Sequence, residues 1–441
     1  MLSSLAWIVS GRGMAAVPSL LLSIVIVAAA GSEVYGRLAA ALASGGVIVA
    51  ICYQVFSKYA LVVAGGRSLI VLFGRAQLLI IPIVIVTSLL FRASLGGSMV
   101  LYTIVGSWAI SQGIKQFLGE VLRGNDIVGL YTVLYVSDSM LTLGLSCIVV
   151  WISPSVVALI SVSALSSLAC TAAILVPTWR TLGSGSPVTV RAMLGYSSPI
   201  VVSGVLNAGF IAIVRVGINQ SGGAALGGMA NFLYDLIQKP YALVSSSLVS
   251  VAVPRSKTRV TVGTIRSMGF LYLGAFFGIS AFAIGFCSQI LWSRPEMPTI
   301  VVGLLVAAIV FMNRFRAGFV ELPFLLQRRP QYIVLGNAIA FLGGIFFVPG
   351  SSLEETLIVL LGLQIVASVI AMALMRGTAA ASSGLIARSI VIMVVVSLLE
   401  YGARLAGLTD QINEVLIAIT VGLLFLSGAF LIAGLLVARN E

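Results

Sequence analysis

The sequence predicts an all-α polytopic membrane protein, and three observations support this fold class. Of the 441 residues, 60% are hydrophobic and only 9% are charged, whereas about a quarter of the residues in soluble domains are charged. Apolar runs recur along the whole chain at the length a bilayer requires, since a helix needs about 20 mostly apolar residues to cross the hydrocarbon core. The loops between these runs are short, so no extramembrane catalytic domain is expected.

The apolar runs give fourteen candidate spans. The first six cover residues 5–30, 36–63, 77–91, 98–118, 127–152 and 154–176. The next six cover residues 199–218, 225–253, 268–287, 299–319, 332–348 and 356–375. The last two cover residues 386–401 and 415–437. The first run also has the form of a signal-peptide core, but it is long and leads directly into a second span, which favours a membrane helix.

The basic residues predict how these spans are oriented, because Lys and Arg prefer cytoplasmic loops. With the N-terminus inside, the inner loops and the C-terminal end hold the larger basic set: Arg67, Arg75, Arg123, Arg180, Arg191, Arg255, Lys257, Arg259, Arg266, Arg328, Arg329, Arg376, Arg388 and Arg439. The outer loops hold only Arg37, Arg92, Arg294 and Arg404. Both termini are therefore expected in the cytoplasm. The net charge of +12 is a topology signal, and no nucleic-acid partner is expected.

Several kinds of chemistry are excluded by residue content. The chain has no histidine, so it cannot build a His-containing metal site or a Ser-His-Asp triad. Its four cysteines lie singly in apolar runs and are expected to be inert: Cys52, Cys147, Cys170 and Cys287. No GxxxxGK[ST] motif is present, so ATP hydrolysis is not expected. We expect no metal site, no catalytic residue and no cofactor.

Two hairpins indicate an internal repeat. Gly36 follows a short polar turn and opens the second span, and Gly227 opens the eighth span in the same way, 191 residues later. A repeat of this length predicts two pseudo-repeated six-helix bundles around a central cavity. The expected lobes are residues 1–176 and 198–376, joined by a cytoplasmic linker at 177–197, with an accessory helix pair at 377–441.

These hairpins, with the stretches FLGEVLRGND and FLLQRRPQ that follow even-numbered spans, resemble a family of exporters. The pattern is similar to that of the Wzx-type polysaccharide and lipid-linked oligosaccharide flippases of the MOP exporter superfamily, which are related to MATE exporters and lipid II flippases. The resemblance implies a transporter, not an enzyme. It would move an undecaprenyl-pyrophosphate-linked oligosaccharide to the outer leaflet of the bacterial inner membrane by alternating access, coupled to an H⁺ or Na⁺ gradient. The implied protein partners are a polysaccharide polymerase and its chain-length machinery.

Three alternatives remain at this point. A MATE-like drug or cation antiporter would favour acidic residues inside the spans, and here basic ones outnumber them. A lipid II flippase would differ only in its substrate. A membrane enzyme of glycan assembly is the alternative from another class, but such enzymes usually need a large outer loop or a histidine, which this chain lacks.

Ionisable residues within spans are costly to bury and are candidate functional residues. The substrate's pyrophosphate and sugars would be bound by Arg12, Arg215, Arg314, Lys239, Asn207, Asn231 and Gln238. The coupling ion would be carried by Asp138 and Asp235. The alternative for Arg12, Arg314 and Arg316 is snorkelling to headgroups. For Asp235 it is an intrahelical pair with Lys239, and for Asp138 it is protonation or pairing with Lys or Arg from another helix.

Overall fold

The fold is built from long helices, and every described residue in regular secondary structure is helical. The computed structural model describes residues 2–63, 66–95, 98–184, 190–255, 274–280, 283, 300–316, 331–347 and 352–373. The helices are α1 Leu2–Ala30, α2 Ser32–Val63, α3 Arg67–Leu95, α4 Met99–Gly124, α5 Val128–Ile152, α6 Val156–Thr181, α7 Val190–Arg255, α8 Ile300–Phe315, α9 Gln331–Phe347 and α10 Leu353–Ala373.

These helices correspond to the predicted spans. The first six spans are α1 to α6, the seventh and eighth lie in α7, and the tenth to twelfth are α8 to α10. Of the ninth span, residues 274–280 and 283 are described and are helical. The predicted thirteenth and fourteenth spans, at 386–401 and 415–437, lie outside the described residues. The all-α membrane fold class is confirmed, and the total of fourteen spans stays a prediction.

Helix α7 is divided by a kink at Gly223, whose φ of 70° and ψ of −179° are not helical. A positive φ is accessible to glycine because it has no Cβ. We call residues 190–222 α7a and residues 224–255 α7b. The kink lies at the turn that the sequence predicts between the seventh and eighth spans.

Six stretches of the described chain are long and apolar enough to cross a membrane: Ser32–Ala60, Arg67–Arg92, Val128–Ile152, Val156–Thr181, Val201–Ala242 and Leu353–Ile370. The surfaces of α3 and α5 carry large apolar side chains that the protein leaves uncovered, such as Leu78 and Trp151. Exposed apolar surface on this scale is expected of helices that face lipid. The chain is therefore a multi-pass membrane protein.

Two helices are longer than their apolar runs predict. The predicted span 77–91 forms part of α3, which begins ten residues earlier at Arg67. The Arg67 guanidinium donates from Nε to the Trp179 carbonyl oxygen at 2.8 Å and lies 5.5 Å from the centroid of the Trp179 ring. Helix α2 begins at Ser32 rather than at Gly36, because Glu33 in its first turn pairs with Arg37 and favours the helix N-terminus.

The chain divides into two compact units between Gln220 and Ser221. In the first unit, α4 packs against α2, α3, α5 and α6, and α1 packs against α2 and α5. In the second unit, α10 packs against α8 and α9. The predicted lobes at 1–176 and 198–376, the linker at 177–197 and the accessory pair at 377–441 stay predictions.

Helix α4 occupies the interior of the first unit. A ring cluster fixes its contact with α2 and α3: Phe117 of α4 stacks on Phe73 at 3.8 Å between ring centroids, and Phe56 meets both rings edge-on. Gly113 lies directly against the ring of Tyr53, where a Cβ would overlap it. The other side of α4 faces α5 and α6, and this side carries the polar residues described next.

Candidate functional site

A buried polar network joins α4, α5 and α6 in the first unit. Lys115 Nζ of α4 lies 2.6 Å from Asp138 Oδ2 of α5. Ser167 of α6 donates from its hydroxyl to Asp138 Oδ1 at 2.7 Å. Gln112 Nε2 of α4 donates to the Ser167 Oγ at 2.7 Å. One carboxylate is therefore bound through each of its oxygens by a different neighbouring helix.

The spacing of residues on α4 explains why these groups meet. Trp108, Gln112 and Lys115 follow the i, i+4, i+7 spacing that places side chains on one helix face. Trp108 Nε1 donates to the Ser163 hydroxyl at 3.1 Å, one turn away from the bond between Gln112 and Ser167. Because both bonds join residues 55 apart, α4 and α6 run in the same direction in constant register. The result is a column of polar pairs between two helices.

The ion pair lies deep within its helices. At 1.5 Å per residue, Lys115 is about 14 Å from the end of α4 and Asp138 is about 15 Å from the start of α5. The Lys115 and Asp138 side chains are 11% and 8% exposed. At this depth an isolated charge is strongly disfavoured, and pairing with a hydrogen-bonded counter-ion is what makes it tolerable.

Aromatic and apolar groups lie next to this network. The Lys115 ammonium lies 5.7 Å from the centroid of the Tyr135 ring, which is within the range of a cation–π interaction. Tyr135 in turn packs on Tyr131, with 4.8 Å between centroids. Around them is a cluster that contains Leu118, Leu122, Tyr131, Leu134, Cys170 and Ile174.

A second acidic residue lies on α7b. Asp235 Oδ2 is 4.0 Å from Lys239 Nζ, one turn further along the same helix. Asp235 is buried and Lys239 is half-buried. The predicted intrahelical pair between Asp235 and Lys239 is therefore present, with a longer distance between its charged atoms than in the pair of Lys115 and Asp138. Asn231, one turn before Asp235, is fully buried and donates from Nδ2 to the Gly227 carbonyl oxygen at 3.2 Å.

Helix α7a carries two of the predicted substrate-binding residues. Arg215 is 8% exposed, so its side chain lies in the protein interior. Asn207 is half-buried. The helix lies close to α2, since Asn219 Nδ2 donates to the Gly36 carbonyl oxygen at 2.6 Å. Earlier in α7a, Gly204 also lies against α2, because a Cβ at this position would overlap the side-chain amide of Gln54.

The remaining basic residues differ from one another. Arg316 is 1% exposed and donates to Asn337 Oδ1 at 2.5 Å and to the Gly336 carbonyl oxygen at 3.4 Å, so it holds α8 to α9 and does not snorkel. Arg314 is half-buried. The side chain of Arg12 lies outside the described part of the chain. The last of the predicted substrate-binding residues, the uncharged Gln238, is half-buried on α7b.

The structure shows a residue that the sequence analysis did not single out. This residue is Lys115 of α4, which pairs with Asp138 of α5. Pairing of Asp138 with Lys or Arg from another helix was one of the two alternatives for this residue. Ser167 and Gln112 complete the arrangement. Among the described residues no group of His, Cys, Asp or Glu is arranged to hold a metal ion. The roles assigned to the candidate substrate-binding residues stay predictions.

Comparison with known proteins gives similarity in fold only. No protein-family model matches the sequence, and no curated protein matches it. The lipid II flippase MurJ, in its inward closed conformation, superimposes with a TM-score of 0.59 at 10% identity, covering 97% of this chain and 99% of that one. A MATE transporter in complex with MaD5 gives a TM-score of 0.57 at 14% identity, covering 87% and 96%.

A third structure is that of the MATE multidrug transporter DinF-BH, with a TM-score of 0.52 at 10% identity over 86% of this chain and 95% of that one. The three structures are those of transporters or flippases and not of enzymes. The chain therefore has a fold similar to that of MurJ and of the MATE transporters.

Proposed function

We propose that this protein is a flippase that moves an undecaprenyl-pyrophosphate-linked oligosaccharide from the cytoplasmic to the outer leaflet of the bacterial inner membrane. The observation that carries the proposal is a fold shared with a lipid II flippase over 97% of the chain. Because fold alone does not determine substrate, the assignment also depends on the charges within the helices and on the sequence resemblance to Wzx-type exporters.

The buried basic residues suit a substrate that carries a pyrophosphate. Arg215 is buried on α7a, and a guanidinium binds phosphate oxygens in pairs and stays charged when water is removed. Lys239 on α7b and the amides of Asn207, Asn231 and Gln238 provide donors for phosphate and sugar oxygens. Arg12 and Arg314 are further candidates for the pyrophosphate.

The described acidic residues argue against the main alternative, a MATE-like antiporter of cationic drugs. A cation-binding cavity needs carboxylates whose charge is available to the substrate. Here Asp138 lies 2.6 Å from a lysine ammonium, and Asp235 lies 4.0 Å from another. Each carboxylate thus lies beside a cation of the protein itself, so less negative charge is available to a cationic drug.

The transport cycle would alternate access between the two membrane faces, driven by an ion gradient. Both termini would lie in the cytoplasm, as the distribution of basic residues predicts. The flipped oligosaccharide would then be used by a polymerase with its chain-length machinery. Asp138 and Asp235 are the candidate carriers of the coupling ion.

A deletion strain tests the class of function. Loss of a flippase should leave lipid-linked repeat units on the inner leaflet and none on the cell surface, and the wild-type gene should restore export. The variant Glu33→Gln/Arg37→Gln, which removes an exposed ion pair at the start of α2, is the matched control and should also restore export. Single repeat units displayed outside the deletion strain would contradict a flippase and indicate a polymerase.

A further inference from the structure

We propose that the place where the start of α3 meets the end of α6 is a binding site for the headgroup of an anionic phospholipid. The site, which we call the arginine junction, consists of Arg67 and Arg75 of α3 with Trp179 and Arg180 of α6. The proposal goes beyond the proposed function and does not depend on it, because the ligand is a lipid of the surrounding bilayer and not the transported glycan.

Hydrogen bonds fix the two helix ends against each other. The Arg67 amide donates to the Gly183 carbonyl oxygen at 2.9 Å, and the Ser68 amide donates to the Ser184 carbonyl oxygen at 3.2 Å. The Arg67 guanidinium also donates from Nε to the Trp179 carbonyl oxygen at 2.8 Å. The protein itself therefore holds Arg67 and Trp179 in place, which lowers the cost of ordering them around a ligand.

The Arg67 guanidinium keeps donors that an anion can use. Its bond to Trp179 uses Nε, whereas a guanidinium carries five N–H donors in a fixed plane. The Cζ atom lies 5.5 Å from the centroid of the Trp179 ring, and contact with a ring face holds the planar group in one orientation. The N–H groups on the two Nη atoms are those that bind phosphate oxygens in pairs.

Two further arginines add positive charge to the same helix ends. Arg75 lies about two turns into α3, Arg180 follows Trp179 in the last turn of α6, and both are exposed. Helices α3 and α6 contain no Asp or Glu. Among the described residues no carboxylate lies within 4.0 Å of Arg67, Arg75 or Arg180. Three positive charges are therefore available to an anion.

Exposed apolar side chains continue along both helices from these charges. Val71 lies between Arg67 and Arg75 on one face of α3, and Val176 lies one turn before Arg180 on α6. Both valines are exposed. A charged patch that continues into exposed apolar surface fits an amphiphile, because acyl chains can lie along the helices while the headgroup contacts the arginines. A free phosphate would gain nothing from the valines.

The charge of the headgroup selects the class of lipid. Basic pockets between transmembrane helices bind anionic headgroups, and each Lys or Arg near an anionic bilayer surface strengthens the attraction about fivefold. A zwitterionic headgroup brings an ammonium group close to the same three arginines and is disfavoured. Trp179 suits a position at this depth, since tryptophan is enriched at the interface between membrane and water.

Native mass spectrometry of the full-length protein measures lipid binding directly. The protein in a neutral detergent is titrated with phosphatidylglycerol or with phosphatidylcholine of the same acyl chains. The wild type should bind the first phosphatidylglycerol about tenfold more tightly than phosphatidylcholine. Soluble glycerol 3-phosphate, which has the anionic group without the chains, should not displace the bound phosphatidylglycerol.

A double variant separates the site from the fold. Arg75→Gln/Arg180→Gln removes two exposed arginines and leaves the contact between Arg67 and Trp179 in place. The variant should unfold thermally as the wild type does, because surface substitutions have little effect on stability. Its affinity for phosphatidylglycerol should fall about 25-fold, since two arginines are lost.

The matched control is Arg37→Gln/Arg92→Gln, which removes two exposed arginines at the start of α2 and near the end of α3. The control changes the net charge by the same amount and should bind phosphatidylglycerol as the wild type does. An equal loss in the control would show attraction to the net charge of the protein and would overturn the inference.

Three other results would also overturn it. These are equal binding of the two lipids by the wild type, unchanged binding by Arg75→Gln/Arg180→Gln, and displacement of phosphatidylglycerol by glycerol 3-phosphate, which would indicate a site for a free anion. None of these measurements involves movement of the glycan, so their outcome is distinct from that of the tests of the proposed function.

Discussion

Lys115 and Asp138 form an ion pair of 2.6 Å in the interior of the first unit, between two helices that are adjacent in the chain. The Ser167 hydroxyl binds the second oxygen of the same carboxylate. The pair thus joins α4, α5 and α6 at one point, and its removal has consequences for stability that are separate from transport.

Stability should depend on whether one or both members of this pair are changed. Asp138→Leu or Lys115→Leu alone should lower the free energy of unfolding by about 3–5 kcal/mol, because each leaves an uncompensated buried charge. The double leucine variant should lose less than either single variant, which gives a favourable coupling energy in a double-mutant cycle. Thermal unfolding in detergent measures this. Additive losses would show that the two side chains do not interact.

Close packing of α4 against α2 should depend on Gly113. A Cβ at this position would overlap the ring of Tyr53, which is fully buried. Gly113→Ala should therefore destabilise the protein by about 1–3 kcal/mol through overpacking. Gly144 in α5 has nothing within 4 Å of its Cβ position, so Gly144→Ala is the matched control and should stabilise by about 0.5–1 kcal/mol. Equal effects at both sites would contradict the contact described.

The predicted orientation can be tested at two exposed turns. Ser153 lies between α5 and α6, and Ser184 follows α6. In a background with every cysteine changed to alanine, Ser153→Cys should react with a membrane-impermeant maleimide in intact cells. Ser184→Cys should react only after the membrane is opened. The opposite pattern would place both termini outside and would invalidate the positive-inside assignment.

Arg215 should be required for export but not for membrane insertion. Arg215→Ala should abolish surface glycan in the complemented deletion strain while the amount of protein in the membrane stays at the wild-type level. Arg215→Lys should recover part of the activity, since it restores the charge without the bidentate geometry. Arg37→Ala is the control, because Arg37 lies exposed at the start of α2. Wild-type export by Arg215→Ala would exclude Arg215 as a substrate ligand.

Most of the helical framework follows from the lengths of the apolar runs, because a bilayer sets how many apolar residues a helix needs. The ends of the helices do not follow in the same way. Helix α3 continues to Arg67 because a carbonyl and a ring at the end of α6 bind its guanidinium. A contact between residues 112 positions apart has no trace in local hydropathy.

Only part of the candidate site can be predicted from the sequence. Asp138 is prominent as an acidic residue in the middle of an apolar run, and a partner on another helix was an open alternative. Lys115 lies near the end of its predicted span, where a lysine is also compatible with snorkelling, so local sequence does not mark it as a partner of Asp138. The helical spacing of Trp108, Gln112 and Lys115 was the signal that it lies on an interior polar face.

The movement of lipid-linked glycan by the purified protein tests the central claim most directly. In liposomes made from the deletion strain's lipid extract without any gradient, a non-permeant oxidant destroys only the glycan in the outer leaflet. With the wild-type protein incorporated, the account predicts that the oxidant destroys nearly all of the glycan, because the inner-leaflet pool is brought outward. Protection equal to that in protein-free liposomes would contradict the assignment as a flippase.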